Sequence, residues 1–368
     1  MSKILSTLDF PRGPEMKNRF MLAPLTNSQS HEDGIMSDEE FHWLTMRAKG
    51  GFGLTMTCAS HIQAIGKGFP GQMGVFSDDH LEGLSRLAKE INSFDSISIV
   101  QLHHAGMRSP KELIGEDPVC PSDNEEFSAR SLSLDEVKIL RDDFIAGAVR
   151  SEKAGFDGVE LHGAHGYIIC QFLSDEVNLR QDEYGGDLTG RARLLREIID
   201  GIRSECSKDF MLGVRLSSER FGIKLSESKQ LAEELMLSGD LDFLDMSLWN
   251  CFNEPQEEEF KGKTLLKHFA DLQRGDTRLG VAGNIRTPQD VIKAIQDVDW
   301  VMLGRAAILN HNFPKLFEDN PSFEPPIIPV TADYLANEGL SPKFIDYMSN
   351  WGFVEGYDDK MKEALKKA

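Results

Sequence analysis

The chain has 368 residues, 40% of them hydrophobic and 27% charged, with a formal net charge of −20. This composition suits a globular fold with a substantial core, and the length fits either two average domains or one barrel with insertions. The acidic balance argues against nucleic acid and anionic membrane surfaces as partners.

In chain order, short apolar runs alternate with amphipathic segments. The start, "MSKILSTLDFPRGPEM", has no long apolar stretch, so the chain reads as a cytoplasmic protein without a membrane segment. "RFMLAPL" (19–25) is the first strand, followed by the helical "SDEEFHWLTMRAKGG". "GLTMTCAS" (53–60) precedes the helical "SDDHLEGLSRLAKEI", and "SISIVQLH" (96–103) is the third strand. The polar stretch 104–132 is too long for a simple connection and reads as an insertion near the site mouth. A capping box at Ser133 and Glu136 then opens a helix whose Val137, Leu140, Phe144 and Ala148 recur at spacings of three and four.

The second half repeats the pattern. Strand "DGVELHG" (157–163) leads to the helical "LTGRARLLREIIDGIRSE", and "MLGVRLS" (211–217) to "SESKQLAEELMLSG". "FLDMSLW" (243–249) precedes a less regular helical pattern around "FKGKTLLKHFADLQ". "RLGVAGN" (278–284) leads to "TPQDVIKAIQD", and "WVMLGR" (300–305) is the eighth strand. These runs are continuously apolar, as parallel strands buried on both faces require. Eight βα units predict an α/β fold, the (β/α)₈ or TIM barrel. A doubly wound sheet is the alternative, but no glycine-rich turn follows the first strand. The expected organisation is one domain over 1–368, with the insertion at 104–132 and a C-terminal appendage at 321–368.

Barrels of this kind keep their chemistry at the C-terminal ends of the strands. Those ends supply Thr26, Cys58, Gln101, His162 with His165, Arg215, Trp249, Asn284 and Arg305. The stretch "HGAHGY" (162–167) could be a metal site, an acid/base pair, an anion clamp or histidines at a turn. Histidines three apart can share one side of a helical first turn, and Gly163 and Gly166 let the backbone bend. "GVAGNIRTP" and "VMLGRAAIL" each end a strand at a glycine turn and open a helix, an arrangement suited to a phosphate after strands seven and eight. Arg215 lies inside an apolar strand, so it must be paired or face a ligand. The five cysteines, Cys58, Cys120, Cys170, Cys206 and Cys251, form no CxxC pair and read as reduced thiols.

Taken together, "NRFMLAPLT", "VQLHHAG", "DGVELHGAHGYIICQFLSDEVNLRQDEYGGDLTGRARLLREI", "VRLS", "FLDMS", "VAGNIRTP" and "LGRAAILN" resemble the Old Yellow Enzyme family of FMN-dependent ene-reductases. The resemblance runs from about residue 8 to 316 and is strongest to the bacterial NADH:flavin oxidoreductases, without the iron–sulfur cluster and extra flavin domain of the related dienoyl-CoA reductases. It implies an oxidoreductase with FMN as cofactor that takes hydride from NADPH or NADH. The substrate it implies is an activated alkene, an α,β-unsaturated carbonyl or nitro compound.

Roles follow from the resemblance. Ala23, Pro24, Leu25 and Thr26 would line one edge of the flavin, with Cys58 packed beside the ring system. Gln101 would bond the pyrimidine portion and Arg215 would lie by N1 and C2=O. Gly283–Asn284 and Gly304–Arg305 would hold the phosphate. His162 and His165 would donate to the oxygen of the substrate's electron-withdrawing group, and Tyr167 would deliver a proton. Phenolic ligands and a homo-oligomer are further expectations. Asp182, Tyr184 and Arg191 would lock a loop, and Trp249 and Phe252 would supply aromatic lining. Two other readings stand beside this one: an FMN-binding ligand or redox-sensing protein with little turnover, and a metal-dependent barrel hydrolase. Zinc would want a further His and an Asp at other strand ends, which offer Gln, Arg and Asn instead.

Overall fold

The computed structural model describes residues 2–358, 360–362 and 365. Eight parallel strands close into a barrel, each bonded to its sequence neighbours and the last to the first. They are β1 (Phe20–Leu22), β2 (Leu54–His61), β3 (Ile97–His103), β4 (Gly158–Gly163), β5 (Met211–Ser217), β6 (Phe243–Ser247), β7 (Arg278–Ala282) and β8 (Trp300–Leu303). All eight expected strands are present, at or within a few residues of the expected limits. The largest difference is in the first: residues 23–25 leave the barrel as a loop instead of extending β1.

The connections are helical: α1 (Asp38–Lys49), α2 (Leu81–Asn92), α3 (Leu134–Lys153), α4 (Arg193–Glu205), α5 (Leu225–Leu237), α6 (Leu265–Ala270) and α7 (Pro288–Ala294). In α3 the Glu136 N–H donates to Ser133 Oγ at 3.2 Å and the Ser133 N–H to Glu136 at 2.8 Å. This box satisfies two amides that would otherwise lack partners, and Val137, Leu140, Phe144 and Ala148 form the buried stripe beneath it. The expected helix 188–205 is divided at Ala192: a short turn, Leu188–Arg191, is capped by Asp187 before α4 begins.

Two apolar layers hold the barrel. Outside the sheet, residues of the helices and the outward strand positions form one continuous core. Inside, Met21, Leu54, Met56, Ile97, Ile99, Met211, Phe243 and Trp300 fill the lower half of the lumen. An N-terminal segment closes the bottom: Leu8 and Met16 bridge antiparallel, and Phe10 packs on Phe243 and Trp300 at 6.3 and 5.6 Å between ring centroids.

Residues 104–132 contain structure of their own, a short helix Lys111–Ile114 and a two-stranded ribbon of Val119–Cys120 with Arg130–Ser131. Arg180 pins this segment by donating to the carbonyls of Pro121 (2.9 Å) and Leu132 (2.5 Å) while paired with Asp182. The neighbouring Tyr184 hydroxyl donates to Glu197 at 2.7 Å, and Arg191 pairs with Glu227 at 2.7 Å, so these residues do lock the loop.

The C-terminal segment contains helices Ala332–Asn337 and Pro342–Ser349. Phe344 sits edge-on to Trp43 of α1 at 5.4 Å, and the Ser341 N–H donates to Gln29 at 3.0 Å. The end of "KMKEALKKA", residues 363–364 and 366–368, lies outside the described residues.

Candidate active site

Strand β4 delivers His162 to the inner face of the barrel, level with Arg215 of β5. Beyond Gly163 the backbone turns sharply: His165 has φ 61° and Gly166 φ 70°, both left-handed. A glycine takes this conformation freely, whereas a histidine there is strained and must be held by its contacts. The hold is visible, since the His165 N–H donates to Ser217 Oγ at 3.0 Å. Tyr167 then caps the short helix Ile168–Leu173. The helical first turn expected from the spacing of the two histidines is therefore replaced by a strand end followed by a left-handed bend. The bend, not helical periodicity, brings the rings together.

The rings form a chain of polar contacts. His162 Nε2 and His165 Nδ1 are 3.0 Å apart, and His165 Nε2 lies 2.7 Å from Ser247 Oγ on β6. Arg215 donates to the same hydroxyl at 3.3 Å. Tyr167 stands edge-on to His162 at 4.9 Å and to His103 at 4.4 Å between centroids. Burial, followed by neighbouring cationic groups, holds the imidazoles neutral: His165 falls to about 3, and His162 and His103 lie well below the usual range. Burial raises Tyr167, so its hydroxyl keeps its proton at neutral pH; Arg108 opposes that shift and Tyr347 of the C-terminal segment adds to it.

Arg108 and His103 are two residues beside the rings that reading the sequence missed. Arg108, in the first turn of the insertion, places its guanidinium 4.9 Å from the Tyr167 ring centroid and donates to the His165 carbonyl at 2.5 Å. Among the described residues it pairs with no carboxylate. His103 lies within "QLHHAG", and its position at the C-terminal end of β3 was the available signal.

A cleft beside these rings is lined by Ala23, Pro24, Leu25, Arg215, Ser247, Trp249, Gly283, Asn284, Arg286, Gly304 and Arg305. Most of the expected cofactor residues thus converge. Thr26 follows Leu25 in the same loop, half-buried. The loop is anchored by the buried Glu40, which accepts from Asn27 at 3.0 Å and from Ser30. At the far end, Asn284 is left-handed (φ 57°) and accepts from Arg305 Nη2 at 3.2 Å. Only glycine fits at 283, where a Cβ would come within 2.7 Å of the Cys251 amide. Arg286, absent from the expected set, joins Arg305 at this end.

Gln101 lies deeper than the cleft lining, 1% exposed, with Nε2 donating to Glu160 at 2.6 Å. Cys58 is not brought to the cleft at all. The β2–β3 register runs Met56↔Ile99 and then Ala59↔Gln101, so a bulge inserts one extra residue in β2. The bulge reverses the alternation that would have turned Cys58 inward with Met56. Cys58 instead joins the outer core and contacts Glu40, while Ala59 takes the inward position. Trp249 is 67% exposed at the rim under the Arg220 guanidinium (4.6 Å), and Phe252 lies instead beneath Lys293.

The donor set fits a planar, acceptor-rich ligand carrying a phosphate. Arg215 Nε, Arg286 Nε and His162 Nδ1 are buried without partners in the protein, and buried donors of this kind are expected to find one. Ala23, Pro24, Leu25 and Met302 supply an apolar wall. Among the described residues, no group of three His, Cys, Asp or Glu is arranged to hold a metal ion, and no helix is long and apolar enough to cross a membrane.

Comparison with known proteins agrees with this chemistry. The model of the NADH:flavin oxidoreductase / NADH oxidase family matches residues 10–321. The chain is 32% identical over 318 residues to the probable NADH-dependent flavin oxidoreductase YqiG of Bacillus subtilis, covering 83% of this chain and 84% of that protein. It is also 32% identical over 317 residues to an NADPH dehydrogenase of Bacillus pumilus, covering 83% and 91%. The solved structure of the Old Yellow Enzyme homologue from Zymomonas mobilis aligns over 94% of this chain and 99% of that one, with a TM-score of 0.78 and 26% identity. The chain therefore belongs to the NADH:flavin oxidoreductase / NADH oxidase family, as an FMN-dependent oxidoreductase that draws its electrons from NADH or NADPH.

Proposed function

We propose that the enzyme reduces the C=C bond of alkenes activated by a carbonyl or nitro group, with Tyr167 as the proton donor. The observation that carries this reading is the convergence of His162, His165 and Tyr167 beside Arg215 at one edge of the cofactor cleft. When bound, FMN supplies the hydride that the alkene carbon accepts. Ala23, Pro24, Leu25, Thr26 and Arg215 would hold its ring system, and Gly283, Asn284, Gly304 and Arg305, with Arg286, its phosphate.

The protein's own part is placement and proton control. Hydride addition at the β-carbon leaves negative charge on the substrate oxygen, and preoriented N–H donors lower that barrier. Two neutral imidazoles serve because each keeps one N–H to donate. An oxygen that engages both must displace the His162–His165 contact. Tyr167, protonated and within a ring's width of both His162 and His103, is placed to deliver the α-proton. Arg108 above its ring stabilises the phenolate left behind. The acidic chain is compatible with a cytoplasmic enzyme, and phenols, which resemble an enolate, would occupy the same donors. A homo-oligomer is compatible with this reading.

The test separates the two half-reactions in anaerobic stopped-flow. Tyr167→Phe is expected to slow alkene reduction on the order of 10²–10⁴-fold while flavin reduction by NAD(P)H stays near wild type. Equal loss in both steps would remove Tyr167 from the proton-donor role. Normal flavin reduction with no turnover on any enone or nitroalkene, in the wild type, would favour a ligand-binding or redox-sensing protein instead.

A further inference from the structure

Between the apolar plug and the site mouth lies a pair of carboxyls that the proposed chemistry does not use. Glu160 on β4 and Asp245 on β6 are both fully buried inside the barrel, with β5 between them. Asp245 is level with Arg215, and Glu160 is level with Gly213, whose missing side chain makes room for the Phe243 ring of the plug. Gly280 makes room in the same way, since a Cβ there would land on Asp245 Oδ1 and the Trp300 indole nitrogen.

The hydrogen-bond arithmetic of this layer does not close with two ionised carboxylates. Gln101 Nε2 donates to one oxygen of Glu160. The other oxygen of Glu160 and both oxygens of Asp245 receive no well-formed bond from any N–H or O–H. The two side chains nevertheless meet within hydrogen-bonding reach, and the Trp300 indole faces Asp245. Two carboxylates in contact, fully buried and sealed from below by Met211, Phe243 and Ile99, would repel each other with little solvent screening. One proton between them resolves the repulsion and supplies the missing donor. Burial pushes both groups up, and the charge of Glu160 pushes Asp245 further, while Arg215 pulls both back.

We propose that Glu160 and Asp245 share a single proton and together carry one negative charge that neutralises Arg215, making them positioning residues that tune the affinity of the mouth for the reduced, electron-rich cofactor ring. The inference rests on Arg215 facing the FMN ring, as in the functional reading above, but not on the identity of the substrate. The pair behaves as one titrating unit. Removing either carboxyl lets the survivor ionise beside Arg215, and the charge balance is kept. Removing both leaves Arg215 uncompensated next to the ring.

Two measurements on the holoenzyme test this. The first is infrared spectroscopy at neutral pH with ¹³C-labelled glutamate or aspartate. It should show one protonated carboxyl band that shifts in D₂O and is lost in both Glu160→Gln and Asp245→Asn. The second is the FMN midpoint potential. Each single variant should stay near wild type, while E160Q/D245N together should shift the midpoint upward, because the uncompensated arginine favours the reduced anion. A wild type without a D₂O-sensitive carboxyl band, or a single variant that moves the midpoint as far as the double, would overturn the proposal. The wild-type band decides the question by itself if the double variant does not fold. Neither readout involves an alkene, so failure of the ene-reductase assignment would leave both unchanged.

Discussion

The lower and upper halves of the barrel lumen are built from the same strands by opposite rules. Below, Met21, Leu54, Met56, Ile97, Ile99, Met211, Phe243 and Trp300 interdigitate with no polar group left over except the Trp300 indole nitrogen. Two residues further along β3 and β6 the inward positions become Gln101 and Asp245, with Glu160 beside Gln101, and the mouth follows with Arg215, His162 and Ser247. The lower half gains stability from removing apolar surface from water. The upper half gives up some of that gain by burying charges and leaving donors without partners, which is characteristic of a site arranged for a ligand. The plug thus supports a polar layer that could not hold itself together.

The largest test of this division is Phe243→Ala. Truncating a fully buried aromatic of the plug is expected to cost ~3–5 kcal/mol of stability, read from denaturant unfolding. The absorption of bound FMN should change little as long as the barrel is folded. A flavin spectrum altered as strongly as the stability would show that plug and site are not separable layers.

A second test uses acid. His104 and His165 are held to about 3 and His61 to about 4, in each case mainly by burial. Their folded-state values lie below the unfolded value near 6.5, so the unfolded chain binds protons that the folded chain refuses. The stabilisation is present above pH ~6.5 and is lost as pH falls from there toward 3–4. The slope is at most about 1.4 kcal/mol per pH unit for each histidine. Unfolding midpoints measured from pH 7 to pH 4 should fall accordingly, and His104→Asn should flatten the curve. A pH-independent midpoint would mean that these rings are solvated in solution.

The smallest expected effect belongs to Arg108. With its cation removed from the face of Tyr167, Arg108→Gln should slow alkene reduction about 2–5-fold, the equivalent of a partly exposed cation–π contact. Tyrosine ionisation followed by absorbance should move to higher pH, since Arg108 is the group that lowers it. Unchanged rates for alkene reduction would leave Arg108 with only its structural bond to the His165 carbonyl.

Much of the architecture was legible because burial on both faces leaves a one-dimensional trace. All eight strands appear as apolar runs, and the Ser133–Glu136 box marks the start of α3 directly. The site was legible as a set of residue types at strand ends, but not as a geometry. Cys58 shows why: the bulge in β2 inverts its facing, and a bulge depends on pairing with β3, which no local pattern records. His165 shows it again, since its left-handed backbone is held by Ser217 from a different strand. Arg108 went unremarked because a polar insertion carries no periodicity to say which residue folds back over the mouth.

By itself, then, the sequence determined the barrel, the order of its units and the residue types at its mouth, since those follow from local periodicity and from burial that every strand repeats. Only the tertiary structure decided which side chains meet. The His162–His165–Ser247–Arg215 chain draws on three strands, and the Glu160–Asp245 pair joins two strands with β5 between them. Such contacts are set by register and closure around the whole barrel, where a shift of one residue would turn every one of these groups to the opposite face.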